Sequence, residues 1–164
     1  MIEMILLDVD GCLTDGKIVY SENGDEIKAF NVKDGLAIKG WLSLGFKVAI
    51  ITGRRSNIVR RRADELGITE LHQGVKDKAS LLLDLSSKFN IPLENMAAIG
   101  DDLNDYKMLQ SVGISFVPQN ASHYVKKISD VILSFSGGEG AVREMIEILV
   151  KQNSKESEFL ASWI

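Results

Sequence analysis

The sequence has one cysteine, no long hydrophobic run and no excess of positive charge. Cys12 alone cannot form an internal disulfide, and the run Met-Ile-Glu-Met-Ile-Leu-Leu-Asp at the start carries acid where a secretory signal carries base. No apolar stretch approaches the roughly 20 residues that cross a bilayer. The net charge of -4 argues against nucleic acid or a membrane surface as a partner. We therefore expect a cytoplasmic protein with neither partner.

The residues that are present suit one globular domain. The chain has 164 residues, 45% of them hydrophobic, and no repeat, which predicts a single domain over 1–164. Short apolar runs alternate with stretches in which apolar residues recur every three or four positions, as in α/β proteins. We expect a three-layer sandwich around a mainly parallel, Rossmann-like sheet. The predicted strands are Met4–Val9, Phe46–Ile51, Met96–Ile99, Gly113–Val117 and Val131–Leu133, and the predicted helices are Asp34–Leu44, Ser56–Leu66, Lys76–Asn90, Asn104–Val112, Ser122–Lys127 and Gly140–Lys151.

Two segments depart from this alternation. Lys17–Tyr20 and Glu26–Asn31 flank Ser-Glu-Asn-Gly-Asp, which predicts a β-hairpin flap over 17–31. Only about forty residues separate the end of the first strand from that of the next long strand, which leaves no room for a cap domain. The tail, 152–164, ends in Phe-Leu-Ala-Ser-Trp-Ile, which is too apolar to stay in water. We expect Phe159–Ile164 to dock on a neighbouring chain, with packing on its own chain as the alternative.

Four polar features follow predicted strands or open a helix. They are Asp8–Gly16, Thr52–Arg54, Lys78 and Gly100–Asp105. Because the carboxyl ends of parallel strands line one crevice, we expect these groups to converge on one pocket.

Carboxylates dominate this predicted pocket. Asp8 and Asp10 flank a single valine, and Gly11 lets the chain turn sharply after them. Two adjacent carboxylates repel each other unless a cation lies between them, and Asp101 would add another oxygen ligand. Oxygen ligands suit Mg²⁺, so the pattern predicts a magnesium site formed by Asp8, Asp10 and Asp101.

The same residue types suit the hydrolysis of a phosphate ester. A carboxylate can attack phosphorus to form an acyl phosphate, and a second carboxyl can protonate the leaving alcohol. Asp8 fits the attacking group and Asp10 the acid, which would then deprotonate the water that releases phosphate. Lys78 and Thr52 can neutralise or bind the phosphoryl oxygens. These four residues are the predicted catalytic set.

The motifs Asp8-Val-Asp-Gly-Cys-Leu-Thr, Thr52, Lys78 and Gly100-Asp-Asp-Leu-Asn-Asp105 resemble, in full and in order, those of the haloacid dehalogenase superfamily of phosphatases. The resemblance covers the whole chain. It implies that Asp8 is the nucleophile, that Asp10 is the acid/base and binds the metal through its backbone carbonyl, and that Asp101 binds the metal. We expect Asp102 and Asp105 to contact the metal-binding and catalytic residues without binding the metal themselves. In this arrangement Asp105 orients Lys78.

Further motifs are similar to the small cap-less branch of that superfamily, the 3-deoxy-D-manno-octulosonate 8-phosphate phosphatases. The motifs are Phe30–Leu36, Thr52–Arg54, Arg60–Ala63 and Gly137–Glu144. The resemblance implies a homotetramer of lipopolysaccharide biosynthesis, in which a neighbour's flap and tail close each pocket. It also implies a sugar-acid phosphate as substrate, contacted by Asp10, Asn31, Val32, Lys33, Asp34, Gly35, Lys39, Thr52, Gly53, Arg54, Arg62, Lys78 and Asn104.

Two departures from that branch bear on the substrate. Lys39 and Glu139 stand where relatives usually carry arginine, and Glu139 leaves open a nonulosonate (sialic-type) 9-phosphate as the substrate. Arg54 favours the octulosonate, because the nonulosonate relatives tend to carry an acid there. Basic side chains suit either substrate, since both bear a carboxylate and a phosphate.

Simpler interpretations remain for several residues. Asp102 and Asp105 could merely begin a helix, where negative charge is favoured. Cys12 is expected to be a buried filler, and His72 and His123 lack the spacing of metal ligands. A phospho-acceptor receiver module also combines aspartates, Thr and Lys. In a receiver, an acidic pair comes early and a single acceptor aspartate follows at mid-chain, whereas here the Asp-x-Asp motif comes first, so the order of the motifs argues against a receiver.

Overall fold

The computed structural model describes residues 1–161 and 163–164. The strands are β1 (Met4–Leu7), β2 (Val19–Tyr20), β3 (Glu26–Ile27), β4 (Lys47–Thr52), β5 (Glu70–Gln73), β6 (Met96–Ile99), β7 (Ile114–Val117) and β8 (Val131–Ile132). The helices are α1 (Val32–Ser43), α2 (Asn57–Leu66), α3 (Lys78–Phe89), α4 (Tyr106–Ser111), α5 (His123–Lys126), α6 (Ala141–Gln152) and α7 (Glu156–Ala161). Short 3₁₀ turns cover Leu93–Asn95 and Leu103–Asp105.

Six of the strands form one parallel sheet in the order β5-β4-β1-β6-β7-β8. In β1, Ile5 and Leu7 face a core shared with α1, α2 and α6, whereas Met4 and Leu6 face a second core with α3, α4 and α5. This alternation follows from the period of two along a strand, and it places helices on both faces. The predicted three-layer α/β fold is confirmed.

The central position of β1 fixes where a ligand can bind. The chain leaves β1 towards β4 on one side and reaches β6 on the other, so the strand order diverges at its carboxyl end. Crevices for ligands form at such points in open parallel sheets. The first acidic motif follows β1 directly, Thr52 ends β4, Lys78 begins the helix after β5, and Gly100–Asp105 follows β6.

One strand, β5, was not predicted from the sequence. Its residues Glu70–Gln73 are half-buried at the edge of the sheet, where they pair with β4. An edge strand needs no continuous apolar run, so the polar sequence Glu-Leu-His-Gln carries no recognisable strand pattern. The predicted hairpin forms, with β2 and β3 antiparallel.

The tail packs partly on its own chain. Phe159 of α7 is buried and lies against Gly40 of α1, where an added Cβ would be 2.4 Å from the Phe159 ring. The placement of Phe159 therefore agrees with the alternative prediction, in which the tail packs on its own chain. Trp163 and Ile164 stay exposed, and the part of the docking hypothesis that concerns Ser162 lies outside the described residues. Among the residues described, no helix is both long and apolar enough to span a membrane.

Candidate active site

Asp8 lies at the carboxyl end of the central strand. Its backbone N–H continues the β1–β6 ladder by donating to the Ile99 carbonyl at 3.2 Å, and its side chain is buried. A wide turn over Val9–Leu13 follows. Because the sheet fixes the backbone of Asp8, its carboxylate is held at the floor of the crevice.

A buried lysine connects two of the sequence motifs. Lys78 begins α3, and its ammonium lies 2.6 Å from Oδ1 of Asp8 and 2.5 Å from Oδ1 of Asp105. The other oxygen of Asp105 accepts the backbone N–H of Asp101 at 3.0 Å. Asp105 therefore connects Lys78 to the loop that carries Asp101, whereas Asp102 accepts the N–H of Leu103 and caps the 3₁₀ turn.

Gly11 allows the two acidic loops to touch. It has a φ of 102°, and a Cβ there would lie only 2.0 Å from Oδ2 of Asp101. Any side chain at this position would collide with a carboxylate at the site. Asp8, Cys12 and Asp101 each offer one possible ligand atom within 4.8 Å of the others. The two carboxylates suit a hard cation, whereas the Cys12 thiol is buried and its pKa is raised by burial and by Asp8.

The positive charge of Lys78 does not balance the negative charge of the buried carboxylates at the site. Burial, and then the charge of Asp105, raise the pKa of Asp8 from 3.8 to about 8. Burial and the charges of Asp105 and Asp102 raise the pKa of Asp101 to about 7. Two such carboxyls side by side form a donor set that a divalent cation would stabilise in the ionised form.

Asp10 faces the flap. Its Oδ1 accepts from the ammonium of Lys28 at 2.5 Å, and the same ammonium lies 3.2 Å from Glu26. Glu26 in turn pairs with Arg54 at 2.9 Å. The hairpin therefore contacts both the proposed acid/base and a basic residue at the rim of the pocket.

The catalytic cleft has a volume of about 290 Å³ and brings together most of the predicted groups. It is lined by Asp8, Asp10, Gly16, Thr52, Gly53, Arg54, Asp101, Asp102 and Asn104. Thr52 ends β4, and its side chain is buried at the base. Residues from three strand ends thus meet at one point, as parallel topology predicts.

Several predicted substrate residues lie elsewhere in the single chain. Arg62 packs over the Phe30 ring, with its guanidinium carbon 5.6 Å from the ring centroid, and it lies against Gly35. Val32, Lys33, Gly35, Lys39 and Arg62 line a separate groove. Asn31 caps α1 by accepting from Lys33 N–H at 2.8 Å and donates to the Gly138 carbonyl. None of these residues lines the cleft that contains Asp8.

Asp34, a predicted substrate residue, does not line the cleft. Asp34 is 1% exposed and accepts the backbone N–H of Arg143 at 2.8 Å, at the start of α6. Burial raises its pKa to about 6. A carboxyl enclosed between α1 and α6 cannot touch a ligand in the cleft through its side chain. Asp34 accepts a hydrogen bond at the N-terminal end of α6, where a carboxylate is favoured.

Lys28 and Glu26 are site residues that the sequence analysis missed. They stand two positions apart in and just after β3, so their side chains share one face of the hairpin. The sequence feature that could have identified them is two charged residues at a spacing of two in a hairpin that follows an Asp-x-Asp loop. They were not predicted because the polar residues of the flap lie outside the catalytic motifs.

Similar proteins carry the same architecture. Residues 67–146 match the haloacid dehalogenase-like hydrolase family. Escherichia coli K12 3-deoxy-D-manno-octulosonate 8-phosphate phosphatase KdsC is 42% identical over 96% of this chain and 84% of that protein. The Moraxella catarrhalis phosphatase of that name, solved with a magnesium ion, a phosphate ion and KDO, has a TM-score of 0.94 at 43% identity, covering 99% of this chain and 94% of that one. The cobalt-bound Haemophilus influenzae enzyme has a TM-score of 0.91 at 40% identity, covering 95% and 91%.

The fold and the site define a hydrolase with a carboxylate nucleophile at the end of a central parallel strand and no cap domain. The likeness extends along nearly the whole chain. The chain belongs to the haloacid dehalogenase-like hydrolases and, within them, to the family of 3-deoxy-D-manno-octulosonate 8-phosphate phosphatases.

Proposed function

We propose that the protein hydrolyses 3-deoxy-D-manno-octulosonate 8-phosphate to the free sugar acid and inorganic phosphate, with Mg²⁺ as its cofactor. One observation carries the proposal. Asp8, Thr52 and Asp101 line a single cleft, with Lys78 bound to Asp8, in a chain that is 43% identical to an enzyme solved with magnesium, phosphate and KDO. Asp8 and Asp101 would bind the metal through their side chains, and Asp10 through its carbonyl.

In the first step, a carboxylate oxygen of Asp8 attacks phosphorus and the bond from phosphorus to the sugar oxygen breaks. Asp10 gives its proton to that oxygen, so the sugar leaves as a neutral alcohol. Lys78 holds the attacking carboxylate and contributes positive charge beside the phosphoryl group. The product is an aspartyl phosphate and an ionised Asp10.

In the second step, the ionised Asp10 takes a proton from water as the water oxygen attacks the aspartyl phosphate. The bond between phosphorus and the Asp8 oxygen breaks, which restores the Asp8 carboxylate and releases phosphate. The Thr52 hydroxyl is suited to hydrogen-bond a phosphoryl oxygen in both steps, because it lies at the base of the cleft. When bound, Mg²⁺ offsets the charge of the phosphate and of the two buried carboxylates.

The groove residues suggest that the cleft is completed by a second protomer. Lys33, Lys39 and Arg62 could bind the sugar carboxylate, yet they line a groove apart from Asp8. Val32 and Leu36 of the groove are exposed apolar side chains, as are Ile18, Val19, Tyr20 and Ile27 of the hairpin. Exposed apolar side chains concentrated on neighbouring segments of the chain are typical of a protein interface. A cytoplasmic homotetramer, in which each groove serves a neighbour's cleft, is part of the proposal.

Complementation tests this shared site. Asp8→Asn and Arg62→Gln each impair a different half of the proposed site, so each variant alone should turn over dilute substrate at least about tenfold more slowly. Co-expressed in equal amounts, they should regain roughly a quarter of the wild-type sites, because some clefts combine an intact Asp8 with a neighbour's intact Arg62. Phosphate release measures the gain, and light scattering should give four times 18.1 kDa. Activity no higher than the sum of the two variants, or a monomer, would contradict the shared site.

Substrate preference tests the function itself. Phosphate release should be measured with Mg²⁺ from the octulosonate 8-phosphate and from a nonulosonate 9-phosphate, side by side. We expect kcat/KM to favour the eight-carbon acid by at least about tenfold, since a misplaced contact costs on the order of 1–3 kcal/mol. The reverse preference would favour a nonulosonate 9-phosphate phosphatase. The observation that favours this second function is Glu139, which stands where the octulosonate enzymes usually carry arginine. Feeble activity on both would remove the proposed substrate.

A further inference from the structure

The flap contributes one buried charge to the catalytic cleft. The hairpin exposes the side chains of Ile18, Val19, Tyr20 and Ile27, yet the Lys28 side chain is only 2% exposed. Burying an ammonium costs free energy unless acceptors replace its water. Here the acceptors are Asp10 and Glu26. A stable hairpin turn requires neither contact.

We propose that Lys28 is a positioning residue for the acid/base Asp10: its ammonium anchors Oδ1 so that the second carboxyl oxygen is directed at the leaving-group oxygen of the substrate. This inference rests on the phosphatase chemistry proposed above, although not on the identity of the sugar. The motif pattern assigns Lys28 no role.

Geometry explains why such an anchor is needed. Rotation about the last torsion of an aspartate side chain is only weakly restricted. Asp10 follows β1 by three residues and lies in the irregular turn after it, and its carboxylate pairs with Lys28. Proton transfer requires the oxygen to lie within hydrogen-bond reach of the leaving group, at about 2.6–3.2 Å. When the other oxygen carries the proton, Oδ1 can still accept a hydrogen bond from the Lys28 ammonium, and this contact selects the orientation of the protonated oxygen.

The anchor also links Asp10 to the rim of the cleft. Glu26 bridges Lys28 at 3.2 Å and Arg54 at 2.9 Å, so Asp10, Lys28, Glu26 and Arg54 form one chain of charges. A flap displaced from the cleft would withdraw Lys28 from Asp10. Proton donation is then efficient only while the flap lies against the cleft.

A series of aryl phosphates of one shape provides the test. Phenyl and p-nitrophenyl phosphate differ by one para substituent, and phenolate is the more basic leaving group, so its departure depends more on protonation. The ratio kcat/KM covers the steps up to departure of the alcohol. For Lys28→Met we expect kcat/KM to fall about tenfold or more with phenyl phosphate, and by less than about threefold with p-nitrophenyl phosphate, since general acid catalysis contributes about 10²–10⁴-fold.

Two further variants make the result specific. Lys28→Arg keeps the cation and should recover at least half of the logarithmic loss with phenyl phosphate. Lys17→Met removes an exposed lysine of the same hairpin, paired with Asp15, and should leave both rates unchanged. An equal loss of kcat/KM with both esters, or no loss with either, would overturn the assignment. A wild-type protein that releases phosphate neither from these esters nor from the octulosonate 8-phosphate would overturn the phosphatase function instead, so the two failures are distinguishable.

Discussion

Replacing Asp8 by asparagine is expected to lower kcat by at least about 10⁴-fold, because it removes the only group that forms the covalent intermediate. The amide has nearly the volume of the carboxyl, and its oxygen can still accept from Lys78, which holds Asp8 at 2.6 Å. The fold should therefore persist. In the absence of metal the variant should be no less stable than the wild type at pH 8, since it removes a buried carboxyl whose pKa is about 8.

The measurement should follow phosphate release and the covalent intermediate together. Acid quenching during turnover should trap phosphate on the wild-type protein and none on the Asp8 variant. Asp15→Asn is a matched control, because Asp15 lies seven residues further on, is exposed and pairs with Lys17. Its rate should stay within about twofold of the wild type, as for most surface substitutions. Metal-independent turnover that survives in Asp8→Asn would overturn the mechanism.

The catalytic residues could be predicted from the sequence because parallel topology is regular. Asp8 and Asp101 follow buried strands and Thr52 ends one, and parallel strands bring their carboxyl ends to one edge. Lys78 carries no such local signal, since a lysine in the first turn of a helix is usually solvated. Only the order of the motifs identified it, and the structure shows the physical reason for its place, namely two buried carboxylates.

The residues outside these motifs could not be assigned in this way. Asn31 and Asp34 lie close in sequence to basic residues that suit a sugar acid. Their side chains instead bind backbone groups of the 138–143 segment, about 110 residues away in the chain. That contact depends on how α1 packs against α6, which no local pattern encodes. Lys28 was missed for the same reason, because its partner Asp10 lies across a turn and a hairpin.

Several glycines show how the catalytic loop is held. A Cβ on Gly137 would lie 1.8 Å from the Gly11 carbonyl, and Gly138 donates its N–H to the Cys12 carbonyl at 3.0 Å. The Gly-Gly-Glu-Gly turn that precedes α6 therefore packs directly on the turn after Asp8. Its sequence predicts a tight turn, but its contact with the nucleophile loop appears only in three dimensions.

Replacing Lys78 by methionine is expected to impair both catalysis and stability. Loss of a positive charge at the phosphoryl group should lower kcat by about 10²–10³-fold. Removing one partner of a buried ion pair should cost about 3–5 kcal/mol, because Asp8 and Asp105 then face each other without a cation. Methionine preserves the length and most of the volume of the side chain, so the effect reports the charge.

The pH dependence separates the loss of charge from a packing defect. The pKa of Asp8 is already raised from 3.8 to about 8, and without Lys78 it rises further. The folded state then keeps a proton that the unfolded chain releases, so stability falls as pH rises through that window. At about pH 6 the Asp8 carboxyl is protonated in both the wild type and the variant, so Asp8 contributes nothing to their difference in the free energy of unfolding. Near pH 8.5 and above, the contribution of Asp8 to that difference grows.

Urea unfolding in metal-free buffer, at one protomer concentration and at both pH values, measures the difference in the free energy of unfolding. Lys76→Met is the matched control, because Lys76 is exposed two residues before Lys78. It should change neither kcat nor the urea midpoint. A stability loss in Lys78→Met that is the same at both pH values would mean that the pairing of Lys78 with Asp8 does not account for it. Retained activity would remove Lys78 from the catalytic set.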